Sequence, residues 1–286
     1  MRVLLTADLH YNHARSKPLA DALIDDMNRA GGDVLVVIGD TATHEGDTLE
    51  QGLSRFSFSG PKLIVAGNHE LWTRGDDSYA IYSEELPRRV RALGWHWLET
   101  DPFVAGDVAF AGSVGWYDYS FAQASLEIPL RFYEQKVSPG AAAYLGSYQH
   151  LIDGAADLSP RALQIVARWN DGRYVKLHRS DAEFLRELTD RLDRQLTSLA
   201  HVKHVVAAIH HLPFAQLLPP PRAAQWDFAK AYLGAESLGR TLLRHENVRH
   251  AFCGHSHFPA EATVNHITAV NIGSGYRWKT FKSLEF

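Results

Sequence analysis

One cysteine, two methionines and no long hydrophobic run set the first limits on this 286-residue chain. A lone Cys253 forbids an internal disulfide, rules out a thiolate-clustered metal site and suits a reducing compartment. No segment approaches the roughly 18 consecutive apolar residues of a membrane span. The N-terminus, Met1-Arg2-Val3-Leu4-Leu5-Thr6-Ala7-Asp8, lacks the charged, apolar and small-residue regions of a secretory signal. The expectation is a soluble, cytoplasmic protein with no membrane partner. Excess positive charge is missing too: 29 Lys and Arg face 33 Asp and Glu, a net charge of −4. That excludes a broad basic surface and argues against extended nucleic-acid binding. No repeat, low-complexity tract or linker divides the chain, and residues 1–286 suit one domain.

Histidine is what the sequence has in quantity, with 16 residues. A His-rich chain with one Cys points to imidazole and carboxylate metal chemistry. Five short aliphatic runs each end in such residues: Val3–Ala7 before Asp8 and His10, Val34–Ile38 before Asp40, Leu63–Ala66 before Asn68 and His69, Val205–Ile209 before His210, and Val248–Phe252 before His255 and His257. Runs of this length and character read as strands buried on both faces. Between them lie predicted helices. One has Ser16 as N-cap, Pro18 in its first turn, a Leu19-Leu23-Met27 stripe, and Gly31-Gly32 at its end. A second opens with a Ser180/Glu183 capping box and carries Phe184, Leu188, Leu192, Leu196 and Leu199. A third covers about 236–245. Strands alternating with helices predict an α/β fold with a largely parallel sheet, and such sheets place ligands at the carboxyl ends of their strands. The stretch of about 116–179, rich in Pro, Tyr and Trp, reads as a partly helical insertion or cap over the site.

Taken together, Asp8-Leu9-His10, Gly39-Asp40, Gly67-Asn68-His69-Glu70, His210-His211 and Gly254-His255-Ser256-His257 form a metal constellation. Alternation along an extended segment would put Asp8 and His10 on one side, and likewise His255 and His257. A shared carboxylate can hold two cations about 3.5–4 Å apart. An Asn carbonyl oxygen limits the negative charge around one of them. Oxygen and imidazole donors without thiolate suit manganese, iron, zinc or nickel.

In order and spacing these motifs resemble the calcineurin-like metallophosphoesterases, a family that includes purple acid phosphatases, cyclic nucleotide phosphodiesterases and certain nucleases. The resemblance frames Asp8 to His257 and leaves out the insertion. It implies two packed mixed β-sheets flanked by helices, with the motifs on loops at one end. It implies two divalent or trivalent ions, manganese first and iron, zinc or nickel after it. One would be held by Asp8, His10, Asp40 and His257. The other would be held by Asp40, Asn68, His210 and His255, with Asp40 bridging. A metal-bound hydroxide would attack phosphorus, and His69 would stabilise the transition state or protonate the leaving group.

The implied function is a phosphoesterase for small molecules or nucleotides, a phosphodiesterase before a phosphomonoesterase or phosphoprotein phosphatase. A nuclease ranks below these because no basic cluster is visible. A non-catalytic scaffold ranks last because all seven ligands are kept. One departure concerns His69: the Asp that many relatives carry three residues after the bridging Asp is Thr43 here, so Glu45 or a water would have to orient it. His13, His44 and His211 are candidates to face substrate, against ordinary surface or supporting roles. Trp116 and Tyr117 read either as an apolar wall of the site or as core. Trp72 and Arg74 fit its rim. Arg277 reads as solvated, and Cys253 as buried and inert.

Overall fold

All five aliphatic runs form strands, and six further strands join them. In the computed structural model, which describes residues 1–286, the strands are β1 (Arg2–Thr6), β2 (Val34–Ile38), β3 (Lys62–Val65), β4 (His96–Trp97), β5 (Phe103–Ala105), β6 (Val108–Ser113), β7 (His204–Ile209), β8 (Val248–Cys253), β9 (Ala260–Val264), β10 (Ile267–Asn271) and β11 (Phe281–Glu285). They make two sheets rather than one. The first has the order β11-β1-β2-β3-β4 and is parallel except for β11 at its edge. The second has the order β5-β6-β7-β8-β10-β9, parallel from β6 to β10 with an antiparallel strand at each edge.

Period-two alternation explains the layering. Val3, Leu5, Val34, Val36, Ile38, Leu63 and Val65 of the first sheet pack against Val108, Phe110, Val206, Ala208 and Phe252 of the second. The intervening residues turn outward. Leu4, Leu35 and Val37 join Leu23, Ile24 and Met27 of the helix Lys17–Ala30 in a larger apolar cluster. Ala109, Val205 and Ala207 share that cluster with Phe184, Leu188 and Leu192 of the helix Asp181–Ser198. Strands covered on both faces need apolar residues at nearly every position, which is why Val34–Ile38 and Val205–Ile209 are unbroken runs, whereas β8 carries an exposed Arg249 and a half-buried His250. Each such side chain contributes about 1.5–3 kcal/mol relative to exposure. The fold is therefore two mixed sheets flanked by helices.

Two helix expectations need correction. The stripe of the first helix is Ala20-Leu23-Ile24-Met27, and Leu19 is exposed. A strict four-residue repeat drifts off a 3.6-residue helix, so the buried stripe follows alternating three- and four-residue steps. Ser16 does not cap this helix with its side chain. It is fully buried, and its Oγ donates to the Leu9 carbonyl at 2.7 Å, tying the helix to the Asp8–His10 loop. The second helix has the capping box in full.

From 116 to 179 the chain forms short helices, Leu130–Glu134, Pro139–Tyr144, Pro160–Leu163 and Asp171–Tyr174. Phe132, Val137, Ala141, Ala142 and Leu151 give this segment a small apolar cluster of its own. It is anchored at both ends. Trp116 and Tyr117 are fully buried in the main core at its start, and Asp171 is fully buried near its end.

Candidate metal centre

The carboxyl ends of β1, β2 and β3 in one sheet and β7 and β8 in the other converge on one region, and the motifs occupy the loops just beyond them. Asp8 and His10 do not owe their shared direction to strand alternation. Both have left-handed backbones, φ 55° and 44°, as do Asp40 (52°), His255 (67°) and His257 (54°). Such angles are uncommon for residues with a Cβ and cluster at functional sites, where surrounding contacts hold the strain. Here the contacts are backbone hydrogen bonds between loops: Asp8 N to Gly39 O at 3.0 Å and His10 N to Asp40 O at 2.8 Å. Glycine is required where the loops touch. A Cβ on Gly39 would lie 2.5 Å from His210 Nδ1, and one on Gly67 would lie 2.2 Å from Asp40 Oδ1. Glu70 ties the β2 and β3 loops together. Its carboxylate accepts from the amides of Asp40 (2.9 Å), Thr41 (2.6 Å), Ala42 (3.1 Å) and Gly67 (2.7 Å).

Two groups of ligand atoms result. One atom each from Asp8, His10, Asp40 and His257 lie within 4.8 Å of one another, and so do one each from Asp40, His210 and His255. Asp40 belongs to both groups. Its Oδ1 is 3.4 Å from His210 Nε2, and its Oδ2 is 3.8 Å from the Nε2 atoms of both His10 and His69. Asn68 Oδ1 lies 3.4 Å from His210 Nε2. Several imidazoles have one nitrogen committed to a carbonyl, which fixes the other. His210 Nδ1 faces Ile38 O at 3.0 Å, and His255 Nε2 faces Tyr232 O at 3.2 Å. Such outer contacts orient metal-binding histidines.

The residues fit cations. Nδ1 of His255, whose Nε2 faces a carbonyl, is buried without a hydrogen-bond partner, and His10 and His257 bring their Nε2 atoms to 2.9 Å. Orphaned buried nitrogens and crowded imidazoles are costly unless an ion takes their lone pairs. Charge follows the same logic. Burial would raise the Asp40 carboxyl, but His69 and His210 outweigh it and hold it well below the usual range. Burial and neighbouring imidazoles push His10 and His255 well below the ordinary histidine value, so both are neutral and have a free lone pair at pH 7. For His210, burial alone would lower the value, but Asp40 raises it to about 9.

A cavity of about 670 Å³ opens beside these groups, and Asp40, Asn68, His69, His255 and His257 line its inner end. Trp72, Trp169, Trp226, Trp278 and Phe258 form its walls, with Arg168, Arg222 and Lys230 among them. His69 rests on Trp72, ring centroids 3.7 Å apart and 24° between planes. Burial lowers its value below the ordinary one, while Asp40 and Asp171 act in the opposite direction.

The remaining expected substrate contacts fall outside the cavity lining. Trp116 and Tyr117 stack on each other at 4.8 Å, fully buried, with Trp116 Nε1 donating to Asp181. They are core. His211 is fully buried behind His255, its Nδ1 facing Val114 O at 2.8 Å, and burial lowers it to about 3. It supports the ligand loop instead of facing the cleft. His44 packs between Glu85 and the Arg89 guanidinium. His13 is exposed, 5.0 Å from the Tyr276 ring. Glu45 does not orient His69: its carboxylate accepts from the Arg74 amide at 2.7 Å and faces the Arg74 guanidinium. Arg74 and Arg277 are exposed and away from the lining, Trp72 is part of it, and Cys253 is buried. The motif reading missed Tyr276, which stacks on His10 at 4.3 Å, and Asp171, which accepts from Asn68 Nδ2 at 2.9 Å. An aromatic residue on a C-terminal loop and a carboxylate inside an insertion carry no spacing signal.

Two mixed sheets with Asp, Asn and His converging at the ends of parallel strands define a metallophosphoesterase. The family model described as calcineurin-like phosphoesterase matches residues 1–259, and the chain belongs to that family, the metal-dependent phosphoric ester hydrolases. Among solved structures, it is similar to a phosphopantetheinyl hydrolase from Mycobacterium tuberculosis, with 20% identity, a TM-score of 0.69, and coverage of 96% of this chain and 89% of that one. It is also similar to a dimetal phosphatase from Danio rerio, with 15% identity, a TM-score of 0.53, and coverage of 99% and 91%. Identities this low show the shared fold. No curated protein matches the chain in sequence. No helix is long and apolar enough to cross a membrane.

Proposed function

We propose that the protein is a two-metal phosphodiesterase acting on small organic phosphodiesters, nucleotides among them. Asp8, His10, Asp40 and His257 would hold one ion, and Asp40, Asn68, His210 and His255 the other. Manganese is the first choice, with iron, zinc or nickel as alternatives. When bound, the ions supply Lewis acidity toward phosphoryl oxygens and lower the pKa of water. His69, supported by Trp72 at the inner wall of the cavity, donates an N–H hydrogen bond to the phosphate or to the leaving oxygen. A neutral imidazole keeps one N–H, so this role survives the lowering of its pKa by burial.

The observation that carries the diester reading is the cavity itself. Its volume of about 670 Å³ takes in the ligand groups and a space lined by Trp72, Trp169, Trp226 and Trp278. That volume suits an organic group esterified to phosphate, and inorganic phosphate with a short alcohol would leave most of it to water. Trp226 and Trp278 are 65% and 50% exposed, yet both line the cavity, which favours a planar or apolar arm between them. Arg168 and Arg222 add positive charge for a second anionic group. A phosphopantetheinyl ester is one extended, anionic substrate of this kind.

The test is hydrolysis of bis-p-nitrophenyl phosphate and p-nitrophenyl phosphate by chelator-treated protein resupplied with Mn, Fe, Ni, Zn or Mg, with Asp40→Asn as control. Metal-restored turnover favouring the diester, absent in the control, is the expected result. Faster monoester turnover would reverse the preference. Failure to bind any ion would sink the two-metal reading.

A further inference from the structure

Asp171 is fully buried in the short helix Asp171–Tyr174 of the 116–179 segment, outside every ligand motif. Its carboxylate accepts four hydrogen bonds. Oδ1 takes Asn68 Nδ2 at 2.9 Å and Trp72 Nε1 at 2.7 Å. Oδ2 takes Trp169 Nε1 at 2.7 Å and the Tyr117 hydroxyl at 3.1 Å. Both indoles are donors only, and a carboxylate is an acceptor only, so the arrangement runs one way.

Two consequences meet at Oδ1. An Asn side chain has a donor end and an acceptor end, and its network decides which faces where. With Nδ2 engaged by Asp171, Oδ1 of Asn68 is turned toward His210 Nε2, 3.4 Å away, where the second ligand group lies. The Trp72 indole held by the same oxygen is the surface on which His69 stacks at 3.7 Å. Three residues after Asp40 the chain has Thr43 instead of a carboxylate, Glu45 is engaged by Arg74, and Glu70 is taken up by four backbone amides.

We propose that Asp171 is a positioning residue. One carboxylate oxygen delivered by the insertion selects the end of Asn68 that meets an ion and steadies the ring behind His69. This rests on the two-ion reading above. It gives the insertion a defined part in the centre, completing from outside a site whose ligands all come from the strand ends.

Manganese is titrated by calorimetry into chelator-stripped wild type, Asp171→Ala, Asp171→Asn and Trp72→Phe, each checked for folding by circular dichroism, and kcat is then measured on bis-p-nitrophenyl phosphate. In Asp171→Ala, one of the two sites weakens about 10–100-fold, the range for loss of an outer contact of a metal ligand, and the other is unchanged. Asp171→Asn recovers part of that affinity: its amide oxygen can take the Oδ1 position and its NH2 can donate to the Tyr117 hydroxyl, but the same NH2 meets the Trp169 Nε1–H donor. Trp72→Phe keeps the ring but loses the tether, so both Mn sites stay at wild-type affinity while kcat falls with little change in KM. If Asp171→Ala does not fold, Asp171→Ser replaces it: its single hydroxyl oxygen is too short to reach both Asn68 and Trp72. A folded Asp171→Ala or Asp171→Ser variant that binds two Mn ions as tightly as wild type overturns the proposal. A wild-type protein that binds none of Mn, Fe, Zn and Ni, titrated in turn, overturns the two-ion reading instead.

Discussion

The chemistry of the centre depends on single polar atoms whose partners leave them little choice. Glu70 accepts four backbone amides from two loops and carries no known ligand role. Glu70→Gln puts an NH2 group against two of those donors. Each orphaned buried donor costs about 1–3 kcal/mol, so the urea midpoint should drop even without metal; an unchanged midpoint would show that the loops do not need this bridge. His210 gives a pH prediction. Asp40 raises it to about 9 against the opposing effect of burial, so the ion-free protein carries a proton there at pH 7.5. An ion needs the lone pair at Nε2, so binding must release that proton. Mn affinity should rise with pH up to about 9, and the binding heat at pH 7.5 should differ between Tris and HEPES by their ionisation heats. Equal heats in the two buffers would refute proton release.

At the scale of elements, the helices differ in how they begin. The helix Asp181–Ser198 has its whole capping box, with Ser180 Oγ accepting from the Glu183 amide at 3.2 Å and Glu183 accepting from the Ser180 amide at 2.8 Å. Ser180→Ala should cost about 1 kcal/mol, read as a lower melting temperature with turnover unaltered, since this end of the helix is away from the cavity lining. The helix Lys17–Ala30 uses its serine to bind the Leu9 carbonyl instead. A sequence pattern for an N-cap cannot tell these apart, because Leu9 comes within reach only after the loop turns at Asp8 and His10. The 116–179 segment reads in sequence only as a partly helical insertion, and nothing in it marks Asp171, because the contact from Asp171 to Asn68 spans 103 residues.

For the whole molecule, the candidate ligands come from both sheets, so an ion held by them would join β1, β2 and β3 to β7 and β8. Binding to the folded state alone stabilises by mass action, about 2.7 kcal/mol per site at 100 times Kd. Saturating Mn should therefore raise the melting temperature by several degrees, at about 2–4 °C per kcal/mol for a chain of this size. Asp40→Asn, which alters the one residue common to both groups, should remove most of that rise. A wild-type melting temperature indifferent to Mn and to chelator would contradict a centre shared between the sheets.

The sequence by itself determined the family, five of the eleven strands and the gathering of Asp8, His10, Asp40, Asn68, His210, His255 and His257 at strand ends, because buried strands need largely apolar runs and ions need a few donor types. The two mixed sheets that the family resemblance implied are present, but only the tertiary structure decided which strands each sheet holds, that left-handed backbones and not alternation aim the candidate ligands, and that Trp116, Tyr117 and His211 lie behind the site. Each of these depends on which loop faces which across the sandwich, and pairings separated by 54, 97 and 103 residues leave no local pattern to read.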